Sequence, residues 1–413
     1  MRRIARSLAI ETRAVSRPRG FSLVELMIAM TLGLLLTSAI LGMFSASGRV
    51  ESTQSALSRL QENGRVAIGA LTGDLQMTGR LPCGAQIRPQ VFSNALPAHI
   101  EGSPSLAAAP ADVAPGKPFL LDRGVFITGN ACSASGCNPL PSAALGVPKA
   151  GHGVGDRVPA TDILTLRYLQ GSGWHSEVSG AHGVCKANES LSAIAPSGLP
   201  PSGFNPAHLA LLASCTQAQI FAVDAALKPL VGAFGVPMCD GSSSQPLQLF
   251  DFDTQLQTSV YYLQLAQDAK TPARAIATLM RRSNGVVNEI VQGVERFDLR
   301  YSVHDADGNA HWLSADHVDR RASQSGSPLR CGAGATAHAC GWSDVDAVDV
   351  DLLLNTIDDL PIGESAAIGQ YRYLPDGEGM QMPGATMPMT GLAAGRMLRR
   401  EFRTVVALRS LVP

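Results

Sequence analysis

The chain has 413 residues, of which 45% are hydrophobic and 16% charged, with a formal net charge of −1. That composition fits a globular protein and excludes a disordered or multi-span chain. Residues 1–20 hold six Arg and one Glu, so the chain beyond Gly20 is acidic at −6, which argues against nucleic acid as a partner.

After this basic leader comes an almost wholly apolar run, 21–44, FSLVELMIAMTLGLLLTSAILGMF. A bilayer core needs about 20 apolar residues, so the run is long enough to cross one as a helix. The arginine-rich leader then stays cytoplasmic and everything after residue 44 is exported. One ionisable residue, Glu25, interrupts the run. At mid-membrane such a group costs about 2.5–3.5 kcal/mol, less near the interface, and marks a functional site. An ordinary secretory signal cleaved near Ser45-Ala46-Ser47 is the competing reading. The run exceeds the about 7–15 apolar residues of such signals and carries an internal acid.

Gly20-Phe21-Ser22-Leu23-Val24-Glu25-Leu26, behind a basic leader and ahead of an apolar helix, resembles the processing signal of type IV prepilins and type II secretion pseudopilins. The resemblance implies that a prepilin peptidase cuts after Gly20 and methylates the new amino terminus, Phe21. It also implies that Glu25 faces the α-amino group of a neighbouring subunit once the helices bundle. An ion pair at low dielectric recovers part of the cost of a lone buried charge. An anchor whose acid merely reaches the interface is the plainer alternative, and it leaves the Gly-Phe junction unexplained.

The helix is expected to continue through residues 45–80. Leu57, Leu60, Ala67, Leu71 and Leu75 recur at helical spacing and form one face for packing on a sheet. From 21 to about 77 it would measure about 85 Å. Glycines at 33, 42, 48, 64, 69 and 73 leave two readings open, close helix packing or a helix that bends, since each costs about 1 kcal/mol against Ala. GRLPCG at 79–84 is expected to stop it.

Residues 84–160 and 171–245 are rich in Pro, Ala, Ser and Gly and read as loop insertions, with a short strand at 119–127 and a helix at 206–223. Strands are expected at 161–169, 259–267, 275–282, 345–356 and 401–408, and a turn of helix followed by a strand over 288–301. A long helix followed by antiparallel strands is an α+β pattern, with the β domain spanning 81–413.

Eight cysteines, Cys83, Cys132, Cys137, Cys185, Cys215, Cys239, Cys331 and Cys340, all follow the apolar run and suggest disulfides in an exported domain. Their pairing is open. Proximity favours Cys132 with Cys137 and Cys331 with Cys340. No CxxC occurs, which speaks against structural zinc. Asp305, Asp307 and Asn309 resemble the start of a calcium loop, yet the expected Gly and distal Glu are missing, so a hairpin turn is the preferred reading. Asp349 and Asp351 read as the solvated face of a half-buried strand, and Arg396, Arg399, Arg400 and Arg403 as charge on the exposed side of the last strand or a docking patch. No HExxH, GxSxG or GxxxxGK[ST] occurs, so no catalytic constellation is expected.

Five segments narrow the resemblance: QENGRVAIGALTGDLQMTGRLPCG, DILTLRYL, VNEIVQGVERFDLRY, WSDVDAVDVDLLLNT and REFRTVVALRS. Together they resemble the PilW family of minor pilins. That implies a type IV pilin-like fold and a role, without catalysis, in initiating type IV pilus assembly and forming a tip complex. The implied partners are other minor pilins, the major pilin, prepilin peptidase, a tip adhesin and the inner-membrane assembly platform. The implied location is a single pass through the inner membrane, with the C-terminal domain in the periplasm and then at the pilus tip. No cofactor is implied, although some pseudopilins bind calcium. A J-type pseudopilin of type II secretion is the alternative, and a membrane-anchored periplasmic enzyme a further one.

Overall fold

The computed structural model describes residues 20, 22–80, 86–87, 89–91, 118–120, 126–177, 192–194, 208–213, 217–223, 247–271, 274–304, 308–319, 341–342, 345–360, 371–373, 385–387, 392 and 396–408. The chain divides into two units, Met1–Gln54 and Ser55–Pro413. Helix α1, Leu23–Met77, runs through both as a single 55-residue element, as its composition predicts.

Within the second unit, α1 buries the expected stripe: Leu60, Ala67, Leu71 and Leu75 are at most 1% exposed, while Glu62, Arg65 and Val66 face outward. Each buried leucine contributes about 1.5–3 kcal/mol. Three sheets make up most of the described β structure. The central sheet orders its strands Val286–Gln292, Ala275–Ser283, Leu256–Gln267, Ile163–Leu169, Ile127–Ser133 and Gly136–Asn138. The C-terminal sheet runs Ala310–Leu313, Val294–His304, Val345–Asn355 and Arg399–Ala407, all antiparallel. One continuous core joins α1 to both, from Leu60 and Leu71 through Leu164 and Leu263 to Leu299 and Val350.

The two sheets are linked at Gly293. Its N–H donates to Ala277 O in the central sheet, and its carbonyl accepts from Asn355 N in the C-terminal sheet. Its φ of +84° and the 2.8 Å approach of Ile357 Cγ1 to any added Cβ restrict this junction to glycine. The expected helical turn at 288–301 is therefore absent. Val286–Gln292 and Val294–His304 are both strands, because the β-branched VVNEIV favours a pleated, half-buried surface.

The insertions also depart from the loop reading. Gln86–Ile87, Gln217–Val223, His208–Ala213, Leu247–Asp251, Trp174–Glu177 and Ser192–Ile194 form a third sheet, in that order. Where a helix was expected at 206–223, two antiparallel strands pair Ala213 with Ala218 through to His208 with Val223. A short apolar run such as LALLA fits either state, and here Ala210 to Ala213 are fully buried as strand residues. The strand expected at 119–127 is replaced by Pro118–Leu120 and Ile127–Ser133.

Candidate functional site

In the first unit, Gly20 and Glu25 are exposed, and Phe21 lies outside the described residues. Glu25 occupies the first turn of α1, where a carboxylate complements the helix dipole. From Leu23, 75% exposed, to Phe44, 73% exposed, the apolar side chains of the span are uncovered. A helix apolar all round is built for lipid or for other helices. Its hydroxyl side chains are satisfied internally: Thr31 donates to Ile28 O, Thr37 to Gly33 O and Ser38 to Leu35 O, at 2.7–2.9 Å. Glu25 is the only ionisable residue among the described residues of the span.

In the second unit, α1 is clamped by an acid that sequence reasoning missed. Asp74 lies on the buried stripe, three residues after Leu71 and directly before Leu75. Tyr168 Oη donates to Asp74 Oδ1 at 3.0 Å, Tyr261 Oη donates to Oδ2 at 2.8 Å, and Arg281 Nη2 lies 2.9 Å from Oδ2. All three partners stand on the central sheet, so the carboxylate is both neutralised and hydrogen-bonded. Burial, and next the Asp74 charge, push the Tyr168 and Tyr261 hydroxyls up from their ordinary value, so both remain donors. An acid inside an otherwise apolar helical stripe was the available signal. About three turns earlier, Gly64 rests against the Phe402 ring of the C-terminal sheet, which lies 2.3 Å from where a Cβ would stand. The docked part of α1 therefore bridges both sheets.

The acidic strand Val345–Asn355 is not solvated as its alternation suggested. Asp349 and Asp351 are 1% and 7% exposed, and Val348, Val350 and Leu352 line the core on the opposite face. The reason is complementary charge on the flanking strands. Arg300 stands opposite Asp349 and bonds it, and Asp351 stands opposite Arg403. Arg403 Nε and Nη2 donate to the two Asp349 oxygens at 3.0 and 2.7 Å. Arg399 is likewise buried and grips Glu295 at 2.6 and 3.1 Å. The exposed-cluster expectation thus holds for Arg396 and Arg400 but not for Arg399, and Arg403 is a half-exposed member of the ladder. Burial, then the Asp349 charge, raise the Asp351 carboxyl to about 6 against the pull of Arg403 and Arg300.

Cys132 and Cys137 form a disulfide across the hairpin of Ile127–Ser133 and Gly136–Asn138, as proximity suggested. Cys83, Cys185, Cys215, Cys239, Cys331 and Cys340 lie outside the described residues, as do Asp305 and Asp307; Asn309 adjoins the hairpin strand Ala310–Leu313. Among the described residues no group of three His, Cys, Asp or Glu side chains is placed to hold a metal.

A long apolar helix carrying one early acid, continued into a helix docked on antiparallel sheets, fits a type IV pilin-like fold. Residues 15–41 match the family model described as prokaryotic N-terminal methylation motif, and residues 260–410 match PilW, described as Type IV Pilus-assembly protein W. Together the two matches support a PilW-type minor pilin of the type IV pilus. The second match begins within the strand Leu256–Gln267 and takes in the whole C-terminal sheet. Neither the curated proteins nor the solved structures contain a match.

Proposed function

We propose that this pilin takes part in initiating type IV pilus assembly and in forming the tip complex, after cleavage following Gly20 and methylation of Phe21. The observation that carries this reading is the uncovered apolar span of α1 with Glu25 in its first turn, on a chain that matches both the methylation motif and PilW. In lipid, the span is solvated and Glu25 carries a desolvation cost. Beside a neighbour whose amino terminus has been freed, Glu25 meets an opposite charge, and assembly is favoured over the membrane pool. A first small group of minor pilins would lower the nucleation barrier to bundling. Other minor pilins, the major pilin, a tip adhesin and the assembly platform are the partners this role needs, and its location is an inner-membrane single pass before assembly. The role is one of assembly rather than catalysis, and it requires no cofactor.

Mass spectrometry of the protein from membranes and from sheared pili tests the reading. A mature chain beginning at methylated Phe21 and recovered with pili supports it. A chain that keeps residues 1–20, or one that has lost residues 21–44, overturns it.

A further inference from the structure

The Cys132–Cys137 hairpin sits in an electrically lopsided setting. Arg157 is 4% exposed, and its Nη1 donates to Val158 O at 3.3 Å and Thr161 O at 3.0 Å. Its Nη2 points at Cys137 Sγ, 3.2 Å away. On the other side of the bridge, the Cys132 N–H donates to Asp162 Oδ1 at 2.9 Å. A guanidinium therefore abuts one sulfur and a carboxyl lies beside the other cysteine. Burying a cation against a neutral disulfide gains little, since sulfur is a weak acceptor. Facing a thiolate, the same contact becomes a charge-assisted bond. Both cysteines are half-buried rather than enclosed, packed at the margin of the cluster of Leu145, Ile163, Val260 and Tyr262.

We propose that Cys132–Cys137 is a thiol–disulfide exchange site with a fixed direction, in which Cys137 is the leaving group and Arg157 its counter-charge. An external thiolate attacks Cys132 Sγ along the S–S axis, from the side away from Cys137. The new S–S bond joins the reagent to Cys132, the old bond breaks, and its electron pair leaves on Cys137 Sγ beside Arg157 Nη2. A second external thiol then attacks the reagent sulfur and releases Cys132. The two electrons that reduce the protein disulfide come from the two thiols, which leave as a disulfide. A cation beside a sulfur lowers its thiol pKa, and a lower leaving-group pKa speeds its departure. The opposite attack would place the developing thiolate on Cys132, without the guanidinium. The site is independent of the pilus reading, because it needs only a thiol reductant in the compartment that holds the β domain.

The test uses the detergent-solubilised full chain, treated briefly with glutathione, quenched with iodoacetamide and mapped by mass spectrometry. The expected product carries glutathione on Cys132 and carbamidomethyl on Cys137, exceeding the reverse product by about threefold, the effect of a thiol pKa lowered by about one unit on an exchange rate that follows pKa with a slope of about 0.4–0.5. Arg157→Gln should bring the ratio close to one, and Arg157→Lys should restore it. Circular dichroism checks that each variant is folded; if the Gln variant is not, the wild-type and Lys ratios decide. An even mixture, an excess of glutathione on Cys137, no exchange while the chain remains folded, or an unchanged ratio in folded Arg157→Gln would each overturn the assignment.

Discussion

At the scale of single residues, Asp162 shows what it costs to use a carboxyl as a tie between sheets. Its Oδ1 accepts from Cys132 N in the central sheet and its Oδ2 from Leu299 N in the C-terminal sheet, both at 2.9 Å. The Asp162 N–H in turn donates to Phe297 O, so one residue covers a stretch of strand edge that Ala310–Leu313 does not reach. Burial, and next the Asp298 charge, push its carboxyl up to about 8, against the two N–H donors and Arg296. Between its ordinary value of 3.8 and about 8, the folded chain holds a proton that the unfolded chain has released. Stability contributed by this group is complete below that window and falls as pH rises through it, by at most about 1.4 kcal/mol per pH unit. Asp351 acts with the same sign up to about 6. Denaturant titration should therefore show wild-type stability falling from pH 5 to 8. In Asp162→Asn one N–H donor loses its acceptor, a cost of about 1–3 kcal/mol at pH 5. That deficit should narrow by pH 8, and parallel curves would show that Asp162 does not titrate in this range.

At the scale of elements, the docked part of α1 is held by two unlike contacts. The Asp74 clamp is directional and fixes the rotation of the last turns, whereas Gly64 on Phe402 is a close approach that sets depth. Gly69 and Gly73 have nothing within 4 Å of an added Cβ. The two kinds of glycine should therefore respond oppositely to alanine. Gly69→Ala gains about 1 kcal/mol of helix propensity with no clash. Gly64→Ala gains the same amount but must displace an aromatic ring, and overpacking of about 1–3 kcal/mol outweighs it. Thermal unfolding followed at the helix signal should show a raised midpoint for the first variant and a lowered one for the second. If Gly64→Ala is as stable as Gly69→Ala, Phe402 does not set the depth of docking.

At the scale of the whole molecule, the two units solve opposite problems. Met1–Gln54 leaves its apolar span uncovered, while Ser55–Pro413 buries even its charges, pairing Arg399 with Glu295 and Arg300 with Asp349. The first unit is finished only by lipid or by other helices; the second is finished by its own core. Replacing Glu25 should therefore affect association and leave folding alone. Glu25→Gln removes a charge that opposes insertion, so membrane levels should match wild type. If the pair with a neighbour's amino terminus contributes about 1.4 kcal/mol, incorporation into sheared pili should fall about tenfold. Immunoblots of membrane and pilus fractions measure both, and undiminished incorporation would remove the ion pair from the mechanism.

Whatever depends on near neighbours in the chain was legible in the residues alone. The apolar span, Glu25, the 57–75 stripe and the Cys132–Cys137 hairpin all follow from local spacing, because hydrophobic periodicity and short loop closure act within a few turns of chain. Asp349, Asp351 and Arg403 were also written there, but their strands by themselves looked like wet faces. Only tertiary pairing set Arg300 opposite Asp349 and Arg403 opposite Asp351 and let the two carboxyls be buried. The same is true of Asp74, whose partners at 168, 261 and 281 are separated from it by 94 to 207 residues. The strands of the insertion sheet were hidden for a related reason: LALLA is apolar enough for helix or strand, and the partner strand, not local propensity, decides between them.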